Sequence, residues 1–261
     1  MGQELIKPIV RVGNSAGIVL PREWLNGKAK VELIEKPIDI KKEILEILGP
    51  YLEDIQGIYL VGSYARGEEI KDSDVDILVI TNKTNRYVSK GKYEIILISK
   101  ENIESALRKN ILPILPMLCE AKAIMNKELI ERYKKIGINK TNLRSRLELC
   151  KSALAIVRET IKLDKEWPSN CSDAVAYSLI LNLRTIYIIN KLRQKRKLSI
   201  KELKSLIIKI SGSLKSYEGY LRAKNNKKTR EDLPVEEAEK LYNYSIKELE
   251  KIEKWLKEKR G

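Results

Sequence analysis

Residues 58–80, IYLVGSYARGEEIKDSDVDILVI, constrain the fold of this chain more than any other stretch. Ile58, Leu60 and Val61 form a short apolar run that stops at Gly62-Ser63, and Val75, Ile77, Leu78, Val79 and Ile80 form a second run that opens inside an acidic pair. The pattern predicts strand, tight turn, short helix, loop and strand. Asp74 and Asp76 are two residues apart, so on a strand their side chains leave the same face. Carboxylates held that close repel each other unless a cation lies between them. A hard cation such as Mg²⁺ takes such oxygen ligands and completes its shell with water and substrate phosphates. Gly62 lets backbone approach a ligand closely, and Ser63 falls where a helix N-terminus can present N–H groups to a phosphate.

Taken singly, an Asp-x-Asp pair or a Gly-Ser turn says little. In combination they are specific: Gly62-Ser63 after one strand, Ala65-Arg66-Gly67 in the turn, and Ser73-Asp74-Val75-Asp76 opening the next strand. This arrangement resembles the signature of the polymerase β-like nucleotidyltransferases, especially their minimal (MNT-type) branch. The resemblance implies that Asp74 and Asp76 hold divalent metal, two Mg²⁺ ions being expected, around the triphosphate of an NTP donor, with ATP the expected one. It also implies nucleotide-binding roles for Gly62 and Ser63, with Ser73 and Arg66 in the same motif. Two metals roughly 3.5–4 Å apart can stabilise both the attacking and the leaving oxygen of an in-line displacement. The protein then contributes mainly position and charge.

A third carboxylate is expected on the following strand, where KYEIILI (92–98) puts Glu94 on one face with Ile96 and Ile98. Glu94 is the candidate third metal ligand and general base. Arg66 admits two readings, a phosphate or acceptor contact, or a salt bridge to Glu68 or Asp72.

Histidine is absent from all 261 residues. That excludes a Ser-His-Asp triad, a Cys-His pair and a His-ligated zinc hydrolase, and leaves carboxylates with a metal as the available chemistry. Cys119, Cys150 and Cys171 are odd in number and widely spaced, which indicates free thiols in place of a disulfide framework or a zinc site. No apolar run approaches the roughly 20 residues that span a bilayer, and the start MGQELIKPIV has no secretory pattern, so a cytoplasmic protein with no membrane partner is expected. The net charge of +15 is uneven, with 23 basic against 20 acidic residues in 1–140 and 28 against 16 in 141–261. Such an excess favours a polyanionic partner, nucleotide phosphates or nucleic acid.

Residues 7–36 form a unit with strong punctuation: strands near 9–12, 17–20 and 29–35, with Gly13-Asn14-Ser15, Pro21 and Asn26-Gly27 between them. The run Val12-Gly13-Asn14-Ser15-Ala16-Gly17-Ile18, followed by Pro21, Leu25 and Gly27, resembles the SpoVT/AbrB-type (MazE-like) swapped-hairpin DNA-binding module. That family interleaves two copies into one barrel, which implies a homodimer through residues 1–36. Lys7, Arg11, Arg22, Lys28 and Lys30 are the candidate DNA-phosphate contacts, which position a protein without reading sequence.

Helical spacing follows at 40–55, broken at Gly49-Pro50, and again at 100–109 and 126–136, with a strand expected at 117–125. Residues 141–261 carry five helical patterns, at 143–163, 174–192, 200–210, 214–223 and 235–256, and predict an antiparallel bundle. The bundle resembles the helical domains that accompany minimal nucleotidyltransferases, including the HEPN type, although HEPN ribonuclease chemistry needs a histidine. The basic clusters 191–197 and 222–230, with Tyr217 and Tyr220, are expected to face one groove as an acceptor or nucleic-acid surface, or to be solvated helix ends.

The fold expected is therefore α+β: a β swapped-hairpin module (1–36), a mixed nucleotidyltransferase sheet with flanking helices (37–140) and a C-terminal antiparallel helical bundle (141–261). The expected function is metal-dependent transfer of an NMP group from an NTP to a hydroxyl. Its rival is a DNA-binding regulator, antitoxin-like, in which the nucleotidyltransferase fold is sensor or scaffold, since both resembled modules occur in toxin–antitoxin systems.

Overall fold

The computed structural model describes residues 4–34, 39–71, 73–166 and 170–258. The chain forms two compact units, residues 1–43 and residues 44–261.

In the first unit, β1 (Ile9–Val12) and β2 (Ser15–Ile18) pair antiparallel across a two-residue turn, with Gly13 at φ +59. A positive φ is what a two-residue hairpin turn requires, and glycine reaches it without strain. A short 3₁₀ turn follows at Arg22–Trp24. The strand expected at 29–35 does not form: residues 29–34 have no ladder, and Glu35 lies outside the described residues. A strand needs a neighbour to satisfy its backbone groups, and this hairpin offers it none. None of residues 4–34 is buried, and Ile9, Val10, Val12, Val19, Leu20 and Leu25 are all exposed.

In the second unit a five-stranded mixed sheet runs in the order β5-β6-β4-β3-β7. Its members are β3 (Ile55–Leu60), β4 (Val75–Thr81), β5 (Arg86–Lys90), β6 (Tyr93–Ser99) and β7 (Lys122–Met125). β4 and β6 are parallel and the other pairs antiparallel. The amphipathic stripe at 40–55 becomes α1 (Ile40–Ile47) and a 3₁₀ turn (Gly49–Asp54), divided at Gly49-Pro50 where proline removes a donor. α2 (Gly62–Arg66) joins β3 to β4, and α3 (Lys100–Lys109) follows β6 with Ser99 as its N-cap, accepting from the Asn102 N–H.

The strand expected at 117–125 is helix and strand: α4 (Leu115–Glu120), then β7. Pro116 suits a first helical turn, and Leu115 and Leu118 share a buried helical face, so only the last four residues are left to join the sheet edge. The edge strand β5 has no apolar alternation and gave no sequence signal; two of its five residues are basic and only Val88 is even partly buried.

The helical region is α5 (Lys127–Lys134), α6 (Lys140–Glu166), α7 (Asp173–Arg193), α8 (Ile200–Ser211), α9 (Lys215–Lys224) and α10 (Val235–Glu258). Among the described residues no helix is long and apolar enough to cross a membrane. Sheet and bundle share one core. Tyr59, Val61, Leu78 and Ile80 on one sheet face join Leu107, Leu143, Leu147, Leu179 and Ile252 in a continuous buried cluster. Asn142 closes the seam, its amide donating to the carbonyls of Leu107 and Gly137 while Ile111 N–H donates to its own carbonyl. The two basic clusters do not share a groove. Arg222 clamps Asp173 at the start of α7, with its Nε and Nη2 at 2.9 and 2.7 Å, whereas residues 191–197 lie at that helix's other end. A 21-residue helix separates them by about 30 Å.

A common core predicts common unfolding. Leu78→Ala, at a fully buried position on β4, should cost about 2–5 kcal/mol. Urea denaturation should then show the sheet and the helices losing structure in one shifted transition. A helical signal that keeps the wild-type midpoint would contradict the shared core.

Candidate active site

The sheet gathers its polar groups at one end. β3 finishes there at Leu60, β4 and β6 start there, β5 finishes there, and β7 starts there at Lys122, the register partner of Leu60. Asp76 lies in β4 on the same face as Leu78 and Ile80, the face that meets the bundle. Asp74 is exposed and immediately precedes the strand. Glu94 is the direct register partner of Asp76 on the parallel strand β6, so the two carboxylates stand side by side at roughly the 4.8 Å strand spacing.

Gly62 is required by this arrangement. Its φ is +69, and a Cβ there would come within 2.0 Å of Asp76 Oδ2. The Val61 N–H donates to the Asp76 carbonyl at 2.9 Å, which locks the turn against the carboxylate strand. Ser63 is the second residue of α2, part-exposed beside Gly62, and its carbonyl caps the turn by accepting from the N–H groups of Gly67 and Glu68. Ser73 is used locally: its Oγ accepts from the Ile70 N–H at 2.8 Å and closes the loop ahead of Asp74.

Arg66 forms ion pairs with Glu68 (3.0 Å) and with Glu120 (2.6 Å). Glu120 was missed in the sequence. Its other oxygen accepts from the Gly62 N–H at 2.9 Å, so this residue, 58 positions away, holds the glycine turn in place. The only signal for it is a carboxylate closing an otherwise apolar run, ILPILPMLCE. Glu68 in turn accepts from Ser199 Oγ (2.6 Å) and the Ile200 N–H (3.3 Å), tying the motif to the start of α8. Burial pushes Glu68 up, but the hydrogen bonds from Ser199, Arg66 and Ile200 outweigh it and hold the carboxyl below its usual range.

Asp76 is driven the other way. Burial and the charges of Asp74, Glu120 and Glu94 raise it above the usual carboxylate range, with Arg66 opposing. Among the described residues neither Asp74 nor Asp76 joins an ion pair. Glu94 accepts from Ser89 Oγ at 2.8 Å and from the Tyr87 hydroxyl. This crowding of negative charge fits a divalent cation. No three described acidic, Cys or His side chains already stand as a ligand set, yet Mg²⁺ is commonly held by one or two carboxylates with substrate phosphates supplying the rest.

The candidate DNA contacts belong to the first unit. Lys7, Arg11, Arg22, Lys28 and Lys30 are all exposed, and Arg11 Nε donates to the Gly13 carbonyl at 3.0 Å.

The gathered negative charge predicts a pH-dependent cost in stability. A carboxyl raised in the folded state destabilises the fold above its folded pKa, and that penalty vanishes below the unfolded value where both states are protonated. Asp76→Asn should therefore raise Tm by a few degrees at pH 7, with the gain shrinking towards pH 4. Thermal melts across pH check this, and a lower Tm at pH 7 would contradict it.

Residues 39–137, spanning the sheet together with α1 to α5, match the family model described as a nucleotidyltransferase domain. No curated protein matches the chain. The crystal structure of a nucleotidyltransferase-like protein from Exiguobacterium sibiricum 255-15 aligns over 81% of this chain and 75% of that one, at 14% identity and a TM-score of 0.37. The family match supports nucleotidyl transfer as the general activity of residues 39–137, and with it a transferase.

Proposed function

We propose that the protein is a metal-dependent nucleotidyltransferase that moves the NMP group of an NTP, with ATP the expected donor, onto a hydroxyl. The observation that carries this reading is Asp76, packed against a glycine that cannot carry a side chain and beside Glu94, with Asp74 two residues before it and neither aspartate in an ion pair among the described residues. Asp74 and Asp76, with Glu94 as third ligand, would hold Mg²⁺, which when bound neutralises the triphosphate and stabilises charge on the attacking and leaving oxygens.

The remaining chemistry falls to the chain's own groups. Glu120 already occupies the Gly62 N–H, so the phosphate contact falls chiefly to the Ser63 hydroxyl. Arg66 is committed to Glu68 and Glu120, and acts by stiffening the turn. Glu94 takes the proton of the acceptor hydroxyl. The acceptor oxygen forms a bond to the α-phosphorus, the bond from that phosphorus to the bridging oxygen breaks, and pyrophosphate leaves with the electron pair.

The first unit supports a further part of the reading. A hairpin with its apolar side chains exposed and none buried is incomplete as a single copy, and a two-stranded hairpin is marginal alone in water. A second copy supplies the missing core, and a twofold module then presents Lys7, Arg11, Arg22, Lys28 and Lys30 to DNA phosphates. This favours keeping DNA-binding regulation, in a cytoplasmic and toxin–antitoxin-like setting, as the second reading.

Two experiments test the proposal. With α-labelled NTP and Mg²⁺, Asp74→Asn should abolish transfer and Glu94→Gln should slow it by roughly 10²–10⁴-fold; full activity in either would contradict the assigned roles. Removal of residues 1–36 should convert a dimer into a monomer by light scattering, and a truncated protein that stays dimeric would rule out dimerisation through the hairpin.

A further inference from the structure

The turn between α7 and α8 carries three consecutive cations, Lys195, Arg196 and Lys197, all exposed and, among the described residues, none in an ion pair. Their basic neighbours are already engaged: Lys191 pairs with Glu202, and Arg193 lies over the Trp255 ring at 4.3 Å. The turn is built, since Lys195 takes φ +54 and the N–H groups of Lys195 and Arg196 donate to the carbonyls of Leu192 and Lys191. It is also placed. Two residues beyond Lys197, Ser199 donates to Glu68, which pairs with Arg66, which pairs with Glu120, which holds Gly62. A chain of four short contacts thus links the segment that follows this cationic turn to the Gly62 turn that packs against Asp76. The β5–β6 turn carries Lys90 and Lys92; the carbonyl of Lys92 accepts from the Val75 N–H at 2.7 Å, one residue after Asp74, and its ammonium lies over the Tyr93 ring at 5.5 Å.

We propose that the Lys195–Lys197 turn binds the phosphate backbone of a single-stranded nucleic acid whose terminal hydroxyl is the acceptor, an inference that rests on the nucleotidyl-transfer reading. The cations at 195–197 are exposed at the surface, and the segment that follows them is tied through Ser199 and Glu68 to the turn that packs against Asp76. A small acceptor would be expected in a concave, largely apolar pocket. A strand has both requirements in one molecule, a run of phosphates for the exposed cations and a sugar hydroxyl at its end for the carboxylate site. The other basic cluster, 222–230, lies about 30 Å away at the far end of α7 and serves as an internal comparison.

Fluorescence anisotropy on the full-length protein, with 5′-labelled 20-nucleotide RNA and DNA single strands, tests this. The triple variant Lys195→Glu, Arg196→Glu and Lys197→Glu should bind at least 10-fold more weakly, and its log K against log salt slope should fall by about 2, as expected for three lost cations on a single strand. The matched variant Lys224→Glu, Lys227→Glu and Lys228→Glu changes charge equally at the distant cluster and should stay within about 3-fold of wild type. RNA bound in preference to DNA, or the reverse, names the strand. Equal loss in both variants, displacement by poly-glutamate as effective as by oligonucleotide, or no binding by wild type would overturn the proposal. Calorimetry with NTP on the same wild-type sample separates the two readings: NTP binding without strand binding overturns the acceptor surface alone, and strand binding without NTP binding overturns the acceptor role together with the enzyme reading.

Discussion

The close approach of Asp76 to Gly62 is the contact on which the site depends. No other residue type fits, because a single added carbon would collide with the carboxylate. The approach brings Asp76 beside Asp74, Glu94 and Glu120, an arrangement that costs stability because like charges are gathered in a partly dry place. What holds it is the core behind it. Leu78 and Ile80 follow Asp76 on the same face and are completely buried against the helical bundle, so the strand cannot slide to relieve the repulsion without exposing them. The brace of Arg66, Glu68 and Glu120 then spreads the Arg66 charge over two other carboxylates and leaves the aspartate pair open to a cation.

Much of this was legible in the sequence, for local reasons. The spacing of Asp74 and Asp76, the Gly62-Ser63 stop and the apolar runs around them are short-range patterns, and the structure places them at the junction of β3, α2 and β4. The helices at 143–163, 174–192 and 235–256 were likewise visible, since each buries a stripe long enough for the period to show. What escaped was nonlocal. Glu120 acts on Gly62 from 58 residues away, and nothing within a window around position 120 announces that contact. β5 is a polar edge strand held only by its ladder to β6, and β7 is four residues completing the opposite edge, so neither carries a hydrophobic signature of its own.

The third strand of the first unit failed for a different reason. The alternation at 29–35 is real in the sequence, but a strand exists only with a partner, and one copy of this unit supplies two strands and no core. The second unit needs no such help: its sheet and bundle bury a common interior, and Glu68, in the loop after α2, reaches the start of α8 directly through Ser199. That bond makes the helical region part of the site's own support.

The central claim, that the carboxylate end of the sheet binds an NTP through a divalent cation, is tested most directly by calorimetric titration of ATP, GTP, CTP and UTP with and without Mg²⁺, on wild type and on the Asp74→Ala/Asp76→Ala variant. The account predicts binding of at least one NTP that requires Mg²⁺ and disappears in the folded variant. Absence of binding by any NTP to wild type, or binding that survives loss of both aspartates, would contradict it.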